Sequence, residues 1–148
     1  MQLGEELIET LIHTARVCRT LRSELLLKHG LYVGQDKLLR CLEEEDGRSM
    51  GALASRLDVR PPTITKMVSR MAAQDFVERR TSTTDNRQSH VFITDKGQRV
   101  LKKIDKALRK TEKKSLLNVG KRRRKNLSKS FNQIIKNVQR HQSNNTSA

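Results

Sequence analysis

Thr63, Thr65, Lys66, Ser69 and Arg70 fall on the outer side of one short helical pattern, whose inner side repeats Ile64, Val68 and Met71. Hydroxyls and cations set out this way suit contacts to phosphates and base edges, not bond breaking. The rest of the chain offers little else for chemistry. Cys18 and Cys41 lack metal-ligand spacing, and His13, His29, His90 and His141 are scattered. There is no glycine-rich phosphate loop, nucleophile elbow or clustered acid–base set, so neither an enzyme nor a cofactor is expected.

The elements that must position the polar face lie between Ser49 and Thr94. Ser49 reads as an N-cap, and Met50, Leu53, Ala54 and Leu57 recur on one helical face. Asp58-Val59 forms a tight turn. Arg60-Pro61-Pro62 then opens the next helix, since proline fits the first turn, where backbone N–H groups have no helical partner. Two short helices joined so closely, the second with a basic outer side, make a helix-turn-helix. Phe76–Thr81 and His90–Ile93 read as a two-stranded ribbon around a polar loop, which makes the motif winged. Along the first strand Arg79 and Arg80 alternate, so only one can face a bound duplex. These features predict a sequence-specific DNA-binding regulator.

The flanks predict supporting helices. A long helix from Glu5 to His29 carries Ile8, Leu11, Ala15, Cys18, Leu25 and Leu26 near one face, with Gly30 as its stop. Cys18 inside that stripe reads as a small buried hydrophobe; the alternative is a redox-sensing thiol. A second helix from Gly34 to Glu45 turns Leu38, Leu39 and Leu42 inward, and Glu43–Asp46 reads as a solvated acidic turn. Thr94 caps a helix bearing Val100, Leu101, Ile104 and Leu108. Gly120 breaks it before another bearing Leu127, Phe131, Ile134, Ile135 and Val138, which frays from His141. These apolar faces suit an interface with a twin subunit. The fold class is therefore mainly α with a small β-wing. Its expected parts are a dimerisation helix over 1–30, a winged helix-turn-helix domain over 31–97, dimerisation helices over 98–140 and a disordered tail over 141–148.

The net charge is +15, and all of it lies downstream of residue 95, where seventeen bases face two acids. Charge alone is thus no argument for the reading head. Lys121–Lys125 sits at a helix start, where cations are unfavourable, and reads as a solvated turn or as a site for a polyanion. No apolar run approaches the ~20 residues of a membrane span, and Met1–Glu6 lacks the features of a signal peptide. Two isolated cysteines fit a reducing compartment. A cytoplasmic protein, associated with the nucleoid when bound to DNA, is expected.

The sequence resembles the MarR family of bacterial transcription regulators. The likeness rests on Leu53-Ala54…Leu57-Asp58-Val59, Thr63-Ile64-Thr65-Lys66-Met67-Val68…Met71, Phe76-Val77-Glu78-Arg79-Arg80, and Asp85-x-Arg87 followed by Ile93-Thr94-x-x-Gly97. It covers about 31–101. The resemblance implies that the second helix of the motif enters the major groove, and that terminal helices build a homodimer on a pseudo-palindromic operator. Lys66 would be the base- or phosphate-reading cation and Arg70 a backbone contact one turn on. Pro62 and Thr63 would meet DNA at the helix start, with Arg60 and Thr65 beside them. Arg87 would enter the minor groove, oriented by Asp85; the other reading of that pair is a loop salt bridge. An arginine already held by a carboxylate loses less freedom on insertion into a narrow, negative groove.

Three departures bear on these contacts. Asp58 replaces a turn glycine, Asn86 replaces a second wing arginine, and Arg60-Pro61 replaces a serine-rich cap. The resemblance also implies a repressor released by a small anionic aromatic effector, for which His13, Arg16 and Tyr32 are candidates. Two rivals remain at this point: an architectural or RNA-binding protein using the C-terminal charge, and a redox regulator built on Cys18.

Overall fold

The computed structural model describes residues 3–84 and 88–146. The chain order is α1 (Leu3–Lys28), α2 (Gln35–Glu44), β1 (Arg48–Ser49), α3 (Met50–Leu57), α4 (Pro61–Ala73), β2 (Val77–Thr81), β3 (Ser89–Ile93), α5 (Asp95–Ser115) and α6 (Lys121–Thr146). It forms two compact units, Met1–Lys110 and Thr111–Ala148.

The first unit is built on one apolar core. Leu38, Leu39 and Leu42 of α2, Leu53 and Ala54 of α3, and Ile64, Val68 and Met71 of α4 are all buried in it, as the periodicities predict. Leu26 and Leu31 close it from the end of α1, and Leu101 and Ile104 from α5. Gly97 lets α5 approach: a Cβ there would lie 2.1 Å from the Phe76 carbonyl oxygen. Thr94 caps α5 as expected, its Oγ1 accepting from the Gly97 amide at 3.0 Å.

The ribbon has three strands, not two. The sheet is antiparallel in the order β1-β3-β2, with Arg79 opposite Val91 and Ser49 opposite His90. Ser49 needs extended backbone to cap α3, and so it and Arg48 can pair with β3. Two residues are too few to show alternation in sequence. Asp46 fastens the joint, its Oδ1 accepting from the amides of Gly47 at 3.0 Å and Ile93 at 2.9 Å. The acidic turn is thus partly tied down: Glu44 pairs with Arg56 at 2.9 Å and Glu45 with Arg48 at 2.7 Å.

Cys18 is exposed, contrary to the expectation of burial; the buried thiol is Cys41. Within the described chain only the end of α1 reaches the core. Leu7, Ile8, Ile12, Val17 and Leu21, along the rest of the helix, are exposed.

In the second unit the helix break falls at Asn118, not Gly120. Asn118 takes the left-handed conformation, φ 63°, whereas Gly120 has negative φ and directly precedes α6. Asparagine is among the few residues that adopt this conformation routinely. Arg124 then donates to the carbonyls of Val119 at 2.6 Å and Leu116 at 2.8 Å, a favourable place for a cation beyond a helix C-terminus. α6 does not fray at His141 but continues through Thr146. Its last residues are only weakly unfavourable in helices, and no glycine or proline stops them. The side chains of Leu127, Phe131, Ile135 and Val138 are exposed.

Candidate nucleic-acid interface

Ser49 Oγ accepts from the Ala52 amide at 3.1 Å and starts α3. Asp58 stops it in the left-handed conformation, φ 52° and ψ 49°, and the Val59 amide reaches back to the Ala54 carbonyl at 3.0 Å. The chain leaves this turn through Arg60, whose extended backbone precedes Pro61 and Pro62 at the first helical positions. Arg60 provides no side-chain cap, so its guanidinium stays on the surface.

On α4 burial separates the two faces cleanly. Ile64, Val68 and Met71 are at most 1% exposed, while Pro62, Thr63, Thr65, Lys66, Ser69 and Arg70 are all exposed. Thr65 donates its hydroxyl to the Pro61 carbonyl at 3.0 Å, which leaves its oxygen able to accept from a ligand. Neither Lys66 nor Arg70 belongs to an ion pair among the described residues. They stand one turn apart, and two unpaired cations so close repel each other and favour an anionic partner.

Pro62, Thr63, Lys66 and Arg70 also share a hollow of about 360 Å³ with Tyr32, Val33, Gln35 and Met67. Gln35 shapes its far wall, its Oε1 accepting from the Tyr32 amide at 2.9 Å. The structure thus joins Tyr32 to the reading helix. His13 and Arg16 are not among the lining residues; on α1 the Arg16 guanidinium donates to His13 Nδ1 at 3.0 Å.

On the wing the two strand arginines separate as alternation requires. Arg80 is held by both oxygens of Glu78 at 3.1 Å, and its guanidinium lies 4.3 Å from the Phe92 ring centre. Hydrogen bonding and charge from Arg80 lower the Glu78 carboxyl below its ordinary range, and Glu78 raises the Arg80 guanidinium reciprocally. Arg79 has no such partner among the described residues and is the cation left available on this strand. Asp85 and Arg87, expected at the wing tip, lie outside the described residues.

Sequence reasoning missed two ion pairs that fix the frame. Arg22 of α1 pairs with the buried Asp36 of α2, and Arg40 of α2 pairs with Asp105 of α5. The first also engages Arg22, which with Arg16 and Arg19 is one of three arginines near Cys18 in sequence that could have activated its thiol. None of the described helices is long and apolar enough to cross a membrane.

A family model described as MarR family matches residues 31–89. The HTH-type transcriptional regulator TtmR of Methylorubrum extorquens is 38% identical over 81 residues, which cover 55% of this chain and 42% of TtmR. The chain therefore matches less than half the length of that relative. The uncharacterized HTH-type regulator YwoH of Bacillus subtilis is 27% identical over 114 residues, covering 77% and 82% of the two chains. Among solved structures, Staphylococcus aureus MarR in complex with salicylate and kanamycin superposes with a TM-score of 0.79 at 21% identity, covering 93% of each chain. The PcaV regulator of Streptomyces coelicolor gives 0.75 at 18% identity, covering 86% of this chain and 96% of the other. These likenesses show a winged-helix fold.

Proposed function

We propose that residues 31–89, which match the MarR family model, form a winged helix-turn-helix of that family, and that the chain represses transcription as a homodimer on a pseudo-palindromic operator. The observation that carries this reading is the α4 surface, where Lys66 and Arg70 stand exposed beside Pro62 and Thr63, without ion pairs among the described residues. α4 reads the major groove, and Arg87 reaches the adjacent minor groove with Asp85 behind it. Two reading heads place half-sites about one helical turn apart, near 10 bp centre to centre. The uncovered apolar residues of α1 and α6 supply the dimer interface, with 1–30 and 98–140 as its arms and 31–97 as the DNA-binding part. The cytoplasm is the compartment where this activity belongs.

The effector is a small anionic aromatic molecule. A similar solved structure carries salicylate, and the hollow beside α4 offers Tyr32 for the ring and Lys66 and Arg70 for the carboxylate. An anion seated there occupies the same cations that DNA phosphates need, so binding and release compete directly. His13 and Arg16 do not line this hollow.

Selection of genomic fragments by the purified protein, followed by competition with random DNA, tests the reading. A specificity ratio of roughly 10³ or more is expected, and a ratio near one overturns it. Salicylate titrated into the operator complex should release DNA from the native protein. It should release less from Tyr32→Ala.

A further inference from the structure

A second hollow, of about 320 Å³, lies where the end of α1 meets the start of α5. Lys28, His29, Lys96, Arg99 and Lys103 line it, with Phe76 and Val100 beneath them. Four formal positive charges thus surround one concavity, and no carboxylate lines it. The acids nearest in sequence, Glu24, Asp75 and Asp95, are not among its walls. None of the four cations takes part in an ion pair among the described residues.

The cations are not equivalent. Lys96 is pinned: its ammonium donates to the Gln74 carbonyl at 2.7 Å and lies 5.2 Å from the Phe76 ring centre. Lys28, Arg99 and Lys103 are exposed, on stems free to close over a ligand. Ordering several long side chains around a single negative charge gains little, because each exposed contact barely exceeds the side-chain entropy it costs. An anion with one charged group per cation offsets that cost several times over. The floor gives no stacking surface, since Phe76 is only 5% exposed, so an aromatic ring has no place there. The row also continues past the hollow: Lys106 and Lys110 follow Lys103 at helical spacing on the same face of α5.

We propose that this hollow is an anion site for a run of linked phosphates, separate from the reading helix. The same chemistry could come from a free oligophosphate or from the backbone of a nucleic acid strand.

Calorimetric titration of the full-length protein with inorganic tripolyphosphate tests the site. Binding is expected, and the double variant Arg99→Gln, Lys103→Gln should weaken it roughly tenfold or more. The control Lys113→Gln, Lys114→Gln removes two charges from the last turn of α5, outside the hollow, and should leave the affinity within about twofold. Arg99→Lys, which keeps the charge, should retain most of the binding. Lys103→Gln alone carries the comparison if the double variant loses its thermal transition. No binding by the native protein, or equal loss in both double variants, overturns the proposal. A labelled random-sequence single strand identifies the source. If tripolyphosphate displaces it and the Arg99, Lys103 variant weakens it by the same factor, the phosphates are those of a backbone. If that variant leaves strand affinity at the native value, the ligand is a free oligophosphate. Lys66→Ala should leave tripolyphosphate binding intact, so failure of the site and failure of the operator reading are told apart.

Discussion

Lys66 and Arg87 carry different parts of the operator reading, and single substitutions separate them. Lys66 projects from the exposed face of α4 with no ion-pair partner among the described residues. Lys66→Ala should weaken operator binding by ~1–3 kcal/mol if it contacts a base edge, measured by band shift on a folded, dimeric variant. Unchanged affinity would remove it from the interface. Arg87→Ala should lower affinity and also flatten the salt dependence, because one fewer phosphate charge is neutralised. A salt series beside the native protein checks it, and an unchanged slope and affinity would mean that the wing does not touch DNA. Arg22 serves the frame instead. Its carboxylate partner Asp36 is only 1% exposed; Oδ2 takes the arginine, and the buried Oδ1 has no hydrogen-bond partner among the described residues. Removing the arginine strands a buried charge, a loss of ~3–5 kcal/mol when both partners are enclosed. Arg22 is 37% exposed, so the lower end applies, and Arg22→Ala should cost about 3 kcal/mol in a denaturant titration.

Among the elements, the joint between the wing and α5 depends most on a single atom. Gly97 packs against the backbone of Phe76, whose carbonyl also accepts from the Thr94 amide at 3.1 Å. A methyl group would have to displace that carbonyl, so Gly97→Ala should destabilise at the upper end of the ~1–3 kcal/mol seen for overpacking. A thermal melt checks this, and a variant as stable as the native chain would mean that α5 can shift freely. The turn before α4 works in the opposite sense. Asp58 holds φ 52°, a conformation glycine adopts without strain, and it was legible because the constraint is local. The Ser49 cap, the prolines opening α4 and the inner stripe were legible for the same reason. What stayed hidden depends on distant partners. Arg22–Asp36 spans 14 residues and Arg40–Asp105 spans 65, and neither spacing leaves a periodic trace. Cys18 was misplaced because an apolar stripe shows that a face seeks cover, not that its own chain supplies it.

At the scale of the whole molecule, that uncovered surface leads to an assembly. Leu127, Phe131, Ile135 and Val138 of α6 are all exposed in one chain. Apolar residues repeated along a helix of this length need a partner. Deleting residues 120–148 should therefore yield a monomer in sedimentation, with operator affinity reduced because one head engages only half a site. A truncated protein that stays dimeric would assign the interface to α1 alone. The basic run at the start of α6 gives the sharper test of how labour is divided. Arg124 is occupied with the carbonyls of Leu116 and Val119, so it belongs to the fold. Lys121, Arg122, Arg123 and Lys125 are exposed and crowd a helix N-terminus, where the dipole opposes them. If they serve the dimer arm, they stand farther from the duplex than the ~8 Å Debye length at physiological salt and release few counterions. Replacing these four with glutamine, and keeping Arg124, should leave the salt slope of operator binding nearly unchanged. The change should also raise dimer stability at low salt by relieving like-charge repulsion. Measured beside Arg87→Ala, a larger fall in slope for the four-residue variant would show that the run grips the DNA backbone, and would make the protein an architectural binder as much as a reader of sequence.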